Sequence, residues 1–379
     1  MARINMGQSP SSRFYTLQQE GLPFYQGVTD FGDRFPKKSI YCINPIKIAE
    51  HGDVLFSVRA PVGEVNVAVE KCCIGRGVAA LSMKNGNNIF LYYLLKMYAK
   101  QLKSIAGGTT YESINKDQIE NIEFLIPEDS KEQKRIADIL SAFDEKIEVN
   151  NKIIKTLEEM ASAIFKEWFI NFKFPGWEKV KFVDSELGKI PEGWRVGKLR
   201  EIMNLRREKL KDFEEWKNLK LLDLGRFPQK SLAMTSYGKG EEIKTSVFKF
   251  KKGDILFGAV RPYFHKVLIA PFDGVTNSSV FVIYPKDENY YSYLVTVLFL
   301  DSTISYATQC SSGTKMPVLK WEDLSNMEII IPNNPLLFKF ENAMKPMYKI
   351  IIQKVEENQT LAALRDLLLP KLMSGEIRI

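Results

Sequence analysis

Polar, glycine-punctuated loops carrying arginine, glutamine and hydroxyl side chains recur at equivalent places in the two halves of this 379-residue chain. The first half has Gly7-Gln8-Ser9-Pro10-Ser11-Ser12-Arg13, Tyr25-Gln26-Gly27, Arg59, Arg76 and Gly108-Thr109-Thr110-Tyr111. The second has Arg206-Arg207, Arg226, Lys230, Arg261, Thr276-Asn277-Ser278-Ser279 and Ser312-Gly313-Thr314-Lys315. Gln, Ser and Arg suit base edges in a major groove, while Lys, Thr and backbone N–H groups at glycines suit phosphates. On this chemistry the candidate contacts to DNA are Gln8, Ser9, Ser11, Arg13, Gln26, Arg59, Arg76, Thr109 and Thr110, then Arg206, Arg226, Arg261, Asn277, Ser278, Thr314 and Lys315. Each also has a plainer reading. An arginine after a strand is commonly solvated or ion-paired, and Gly-Gly-Thr-Thr is first of all a turn.

Catalytic patterns are scarce by comparison. His51 and His265 lie in different halves and form no metal spacing with any cysteine, and His51 beside Gly-Asp reads as a turn residue. There is no Walker loop, and no GxGxxG follows a strand. Asn44-Pro45-Ile46-Lys47 and Asn333-Asn334-Pro335 do not fit an Asn-Pro-Pro-aromatic methyltransferase motif. Asp223 with Glu242-Ile243-Lys244 is the nearest approach to a nuclease carboxylate set, and such triplets arise by chance in a charged chain. The expectation is therefore no catalytic residue, no metal ligand and no cofactor in this chain. Cys42, Cys72, Cys73 and Cys310 form no CxxC pair and read as reduced thiols, with Cys72 and Cys73 on a strand, one pointing in and one out. No apolar run reaches membrane-spanning length, so the expectation is a cytoplasmic protein with no membrane partner. A net charge of +7 is compatible with DNA and equally with an ordinary basic protein.

The elements that must carry these loops are written twice. Gly52-Asp53-Val54-Leu55-Phe56 is answered by Gly253-Asp254-Ile255-Leu256-Phe257, and the strands ending at Ile126-Pro127 and Ile331-Pro332 answer each other. Val54–Val58, Glu64–Val69 and Val78–Met83 are β-like, as are Ile255–Val260, Lys266–Ile269 and Ser279–Tyr284. Apolar, tyrosine-rich helical segments follow at Ile89–Leu102 and Tyr290–Thr303. A repeat this long is a duplicated domain plus helix, too large for a solenoid unit.

Each half closes on a long helix. Lys131–Phe169 carries the seam Ile136, Leu140, Phe143, Ile147, Asn150, Ile154, Leu157, Ala161, Ile164, Trp168, with four- and three-residue steps that define a heptad register. Ser130 with Gln133 fits a capping box, and at about 1.5 Å per residue the helix makes a rod of roughly 58 Å. In the second half Phe340, Met344, Met347, Ile351, Asn358, Leu361, Leu368 and Leu372 fall on the equivalent seam. There Asn334 is the expected cap, Pro346 should kink or restart the helix, and Pro370 should end a segment running over Met347–Leu369. The economical arrangement is an antiparallel coiled coil, with Asn150 and Asn358 helping to set register.

The fold class is thus α+β: two similar domains of mixed β with short helices, separated by two long helices, as a pseudo-two-fold internal repeat. The boundaries are 1–130 for the first recognition domain, 131–172 for the central helix, 173–193 for a Gly-, Pro- and Trp-rich connector, 194–332 for the second recognition domain and 333–379 for the last helix. The second domain has a lead-in strand at Trp194–Leu199. In the first, Ala2-Arg3-Ile4-Asn5 matches only its end, so either that strand is missing or Ile377-Arg378-Ile379 takes its place.

With this plan the chain resembles the DNA sequence-specificity subunit of type I restriction–modification systems, and the likeness covers essentially its whole length. It is carried by Gly7-Gln8-Ser9-Pro10-Ser11-Ser12, by Glu132-Gln133 with Ile136-Ala137 and Ile139-Leu140, and by Thr156-Leu157-Glu158 with Phe165-Lys166 and Trp168-Phe169. Ile190-Pro191-Glu192-Gly193-Trp194, Ser312-Gly313-Thr314 and the run from Leu361 through Arg365-Asp366-Leu367-Leu368-Leu369-Pro370-Lys371-Leu372-Met373-Ser374-Gly375-Glu376-Ile377 complete it. The resemblance implies two target recognition domains that each read one half of a split, asymmetric sequence in double-stranded DNA, with the helices as spacer. It implies a non-catalytic subunit, with two methyltransferase subunits docked on the helices, restriction subunits in the full complex, and S-adenosylmethionine and ATP held by those partners. The competing reading is a non-DNA coiled-coil adaptor with two protein-binding domains, which explains the rod but not the family phrases. A fused recognition-and-cleavage enzyme lacks catalytic motifs in any segment.

Overall fold

Val78–Met83 and Val280–Pro285 are apolar, β-rich runs, and each becomes an inner strand of a four-stranded antiparallel sheet. In the computed structural model, which describes residues 1–105 and 113–379, the chain divides into two units. One comprises Met1–Glu145 with Leu361–Ile379, the other Lys146–Thr360. The expected loop around Thr109 and Thr110 lies outside the described residues.

In the first unit the sheet order is Ala2–Met6, Val78–Met83, Val54–Ser57, Val65–Val67. The second unit repeats it with Met203–Leu205, Val280–Pro285, Ile255–Gly258 and Val267–Ile269. Helices cover both: Phe90 and Leu94 pack with Phe56 and Leu81, and Leu294 and Leu298 with Phe257 and Val282. Each expected helical segment is broken in two, into Asn88–Met97 with Ala99–Ile105 and Tyr291–Phe299 with Asp301–Cys310. At the second break Leu300 turns extended, and the Val297 carbonyl accepts both from the Leu300 amide at 3.3 Å and from Thr303 Oγ1 at 2.6 Å.

A second sheet in each unit carries the polar loops. In the first unit Leu22–Tyr25 runs parallel to Cys72–Ile74, with Phe24 opposite Cys73 and Tyr25 opposite Ile74. In the second, Lys220–Leu221 runs parallel to Gly274–Asn277, with Leu221 opposite Val275. The fifth strand lies on opposite edges: Tyr15–Thr16 pairs with Tyr41–Cys42, whereas Lys209–Leu210 pairs with Val247–Phe250. The duplicated units therefore share a frame but differ at its rim. Cys72 and Cys73 correct one expectation, because both are fully buried; Cys72 packs with Tyr25 and Leu55, and Cys73 with Phe24 and Cys42. Burial pushes both thiols up to about 12.

The lead-in strand of the second unit, Arg195–Lys198, pairs antiparallel with Glu328–Ile331. No ladder forms at the equivalent stretch of the first unit, where the strand ending at Ile126-Pro127 was expected, and Ile377-Arg378-Ile379 is not a strand either. Instead Arg135 Nη1 donates to the Ile379 carbonyl at 3.0 Å.

The long helices run over Ser130–Phe165, followed by a π-turn at Lys166–Ile170, and over Asn334–Met373. Their caps fall one residue earlier than expected. Asp129 Oδ1 accepts from the Lys131 amide, and Asn333 Oδ1 accepts from the Leu336 amide. Gln133 does not reach back to Ser130; its side chain donates to the Pro127 carbonyl at 2.8 Å and accepts from Asn85. Neither Pro346 nor Pro370 interrupts the second helix. Both face solvent, as do Asn342 and Asp366, whose carbonyls lose a helical partner there and can be hydrated. Tyr348 and Val355 are buried at 1% and 3%, whereas the expected seam residue Met347 is half-buried.

Two polar contacts sit among this apolar packing. In the second unit Asn150 Nδ2 donates to Asn358 Oδ1 at 2.9 Å, and Asn358 Nδ2 donates to Asn151 Oδ1 at 2.8 Å. In the first unit the Arg365 guanidinium pairs with the buried Asp144 carboxylate, which also accepts from Tyr93 Oη at 2.6 Å. Removing one partner of such a pair strands the other charge in a poorly solvated site. Arg365→Met is expected to destabilise the protein by about 3–5 kcal/mol in urea denaturation, and combining it with Asp144→Leu should recover much of that loss. Equal losses in the single and double variants would show that the ion pair is not the cause.

Candidate nucleic-acid interface

Parallel pairing delivers two loops to one place. The chain leaves Tyr25 into Gln26-Gly27 and leaves Ile74 into Gly75-Arg76-Gly77, and Tyr25 and Ile74 are paired neighbours. Gly75 N donates to the Tyr25 carbonyl at 2.8 Å, and Gln8 N donates to the Ile74 carbonyl at 3.1 Å. The Arg76 amide donates to Ser9 Oγ at 3.1 Å, which ties the Gly7–Arg13 loop to the same rim. The fit needs glycine at two points. A Cβ on Gly77 would lie 2.2 Å from the Gln26 carbonyl oxygen, and one on Gly7 would lie 2.2 Å from that of Gly75.

The result is an open cleft of about 430 Å³ lined by Gln26, Gly27, Thr29, Arg59, Pro61 and Arg76. Arg59 enters from the end of Val54–Ser57 and forms a bridge with Ser113. Ser57 Oγ donates to the Pro61 carbonyl at 2.7 Å and accepts from the Glu64 amide, so the intervening turn is held from below. Three sequence-identified residues, Gln26, Arg59 and Arg76, thus meet in one cleft with Ser9 beside them. Gln8, Ser11 and Arg13 are exposed on the adjoining loop, with the Arg13 guanidinium over the Phe14 ring at 4.6 Å. Thr29 was not singled out; it sits three residues beyond Gln26, and no spacing in the sequence marked it.

The second unit builds the same rim from different chemistry. Leu222 N donates to the Val275 carbonyl, so the Asp223–Arg226 turn leaves the sheet in register with the strand that ends at Asn277. Arg226 is committed internally: it pairs with Asp223 at 2.8 Å and with Glu242. Glu242, bonded by the Lys239 amide and by Arg226, is held below the usual carboxylate range. Arg206 is committed as well, donating twice to the buried Asp254 carboxylate at 2.8 and 3.0 Å while stacking on Tyr284. Asn277 Oδ1 accepts from the Ser279 amide, which shapes a turn with Ser278 exposed at its tip.

Arg261, Thr314 and Lys315 come together. The Arg261 amide donates to the Pro317 carbonyl at 2.8 Å, and its guanidinium reaches the Lys315 carbonyl at 3.3 Å. Arg261 and His265 both adopt left-handed backbone (φ 51° each) around Pro262–Phe264, and Lys230, also at φ 51°, donates its amide to the His265 carbonyl. Three such non-glycine residues in one rim store strain that packing must over-determine, a pattern of ligand-contact loops. His265 is buried, and burial holds its pKa below the ordinary value against the opposing pull of Asp301. Tyr263 projects from this turn and was missed, since a single aromatic after Arg-Pro carries no signal of its own.

Comparison with known proteins places the chain in context. The family described as type I restriction modification DNA specificity domain matches it twice, over residues 2–159 and 191–336. The specificity subunit of the type I restriction enzyme MjaIX from Methanocaldococcus jannaschii is 31% identical over 353 residues, covering 88% of this chain and 79% of the relative. The corresponding HindI subunit from Haemophilus influenzae is 26% identical over 407 residues, covering 87% and 88% of the two chains. The crystal structure of the type I S subunit from M. genitalium superposes with a TM-score of 0.59 at 18% identity, over 98% of this chain and 93% of that one, which shows a shared fold.

The tightness of the first cleft is directly testable. Gly77→Ala is expected to lower stability by about 1–3 kcal/mol, because the Gln26 backbone must shift. Gly27→Ala, whose Cβ meets nothing within 4 Å, should leave the urea midpoint nearly unchanged. Equal effects at both positions would mean that the loops are not packed through Gly77.

Proposed function

The chain belongs to the family defined by the type I restriction modification DNA specificity domain, and from that premise we propose that it reads a split, asymmetric target in double-stranded DNA for a type I restriction–modification complex. Each domain recognises one half-site through its loop rim. The observation that carries this reading is the double family match, which falls on two units of common topology but different rim chemistry. Because Gln26 and Arg76 have no counterparts of the same type at the second rim, and Arg261, which answers Arg59, is turned onto the Lys315 carbonyl, the half-sites differ and the target is not palindromic.

The two long helices act as an antiparallel coiled-coil spacer and as the docking surface for two methyltransferase subunits, with restriction subunits joining the full assembly. Antiparallel pairing is supported by Asn150 with Asn358 in the second unit and by Asp144 with Arg365 in the first. The chain itself supplies recognition and no catalysis; S-adenosylmethionine and ATP belong to the partner subunits. No helix among the described residues is long and apolar enough to cross a membrane. No observation favours the adaptor.

Single-molecule methylome sequencing of cells expressing this chain with its methyltransferase should reveal one new bipartite, asymmetric motif. A complex shown by co-purification to be assembled, yet adding no motif, would overturn the reading. Inserting one heptad into each long helix should lengthen the unspecified gap while both half-sites keep their bases. Changed half-site bases in that variant would refute the spacer role.

A further inference from the structure

Resting on the DNA-specificity reading, we propose that the half-site read by the first unit contains G·C pairs contacted by Arg59 and Arg76 at guanine O6 and N7. Among the described residues, Arg59 and Arg76 have no carboxylate partner, both are exposed, and both line the same open cleft. Asp30, an acid beside that cleft, is engaged by the Gln26 and Gly27 amides at 2.6 and 3.3 Å. At the second rim Arg206 is committed to Asp254 and Arg226 to Asp223 and Glu242, while Arg261, half-buried, turns its guanidinium to the Lys315 carbonyl. A fold that engages those and leaves two guanidinium groups bare in one concavity has left them for a ligand.

Two features favour a base edge over a phosphate. Guanidinium presents a rigid donor fork, and its commonest specific partner in DNA is the O6/N7 edge of guanine, where a good bidentate pair discriminates on the order of 10- to 100-fold against the wrong base. The backbone carrying both side chains is also fixed, Arg76 through Ser9 Oγ and the packed Gly77, and Arg59 through its strand and the Ser113 bridge. In-plane pairing to a base edge depends on a donor fork carried by backbone fixed in this way. In the second unit Ser278 follows the strand that answers the one before Arg76, Arg226 is spent on Asp223 and Glu242, and Arg261, which answers Arg59, reaches the Lys315 carbonyl, so its half-site lacks this pair of guanine contacts.

The test is selection from a randomised duplex library by the complex purified with its methyltransferase, using wild type, Arg59→Gln and Arg76→Gln. The expected wild-type motif has G·C pairs in one half, and each variant should drop the guanine preference at one of those positions to less than about 2-fold, leaving the other half-site unchanged. A uniform loss of affinity with an intact motif would mean phosphate contacts, and a motif indifferent to both variants would also overturn the assignment, while in either case DNA specificity stands. No motif from the wild-type complex would overturn the DNA-specificity reading itself. Should a variant fail to fold, 7-deazaguanine placed at the selected positions of the wild-type site removes N7 alone. It should weaken binding on the order of 10-fold, and unchanged binding would refute the proposal.

Discussion

A few paired residues of parallel strand decide where the recognition chemistry goes. Parallel strands have their C-terminal ends at the same edge, so whatever follows them is brought side by side without any further contact. In the first unit that places Gln26 against Gly75-Arg76, and in the second it places the Asp223–Arg226 turn beside Asn277. The antiparallel sheet contributes Arg59 or Arg261 from the end of its inner strand. Everything else in a unit, from the Phe56 and Phe257 cores to the broken helices over them, serves to hold these short pairings in register. The pairings are only one or two residues long and would not persist alone.

The long helices show a different use of polar groups. Most of their burial is aliphatic and aromatic, through Ile136, Leu140, Leu369 and Leu372 in one unit and Ile154, Phe165, Phe340, Tyr348 and Val355 in the other. Against that background a buried Asn150–Asn358 pair adds little net stability, but any sliding of one helix leaves amides unpaired, so register is what it protects. Asp144 with Arg365 and Tyr93 works in the same sense, since each member is satisfied only in one alignment.

Much of this was legible in the residue pattern, and the reasons for success and failure are physical. Duplicated phrases such as Gly-Asp-Val-Leu-Phe and Gly-Asp-Ile-Leu-Phe mark the inner strands because a buried strand needs a continuous apolar run behind a turn. Heptad spacing marked long helices with an apolar face because period follows from geometry, but Phe165, Phe169, Tyr348 and Val355 are buried off the expected seam, while Ile164, Trp168 and Met347 on it are half-buried. The misses arose where tertiary context decides. Pro346 stays inside a helix because its lost bond faces water, and Asp129 and Asn333 cap because the helix begins where its neighbours allow. Ile122–Ile126 has strand composition but pairs with no strand among the described residues. At the rim, residue type alone could not separate Arg76, which is bare, from Arg206 and Arg226, whose carboxylates are 48 and 3 residues away in sequence.

That last distinction explains how a duplicated fold can read two different sequences. Both units place loops at the same edge, so the frame does not set what is recognised; the local balance of charge does. Where Asp223 and Glu242 surround the Arg226 guanidinium, it is fixed and neutralised, and the proposed function leaves direct readout there to Asn277, Ser278 or the strained Arg261 turn. At Arg59 and Arg76 no carboxylate among the described residues forms an ion pair, so under the proposed function their guanidinium groups are available donors. A single acidic substitution beside a rim arginine, or the loss of one, therefore alters the available hydrogen-bond pattern without disturbing the sheet beneath. Such changes cost little stability, because exposed ion pairs contribute about 0–1 kcal/mol. Recognition can diverge while the scaffold and helix register stay as they are.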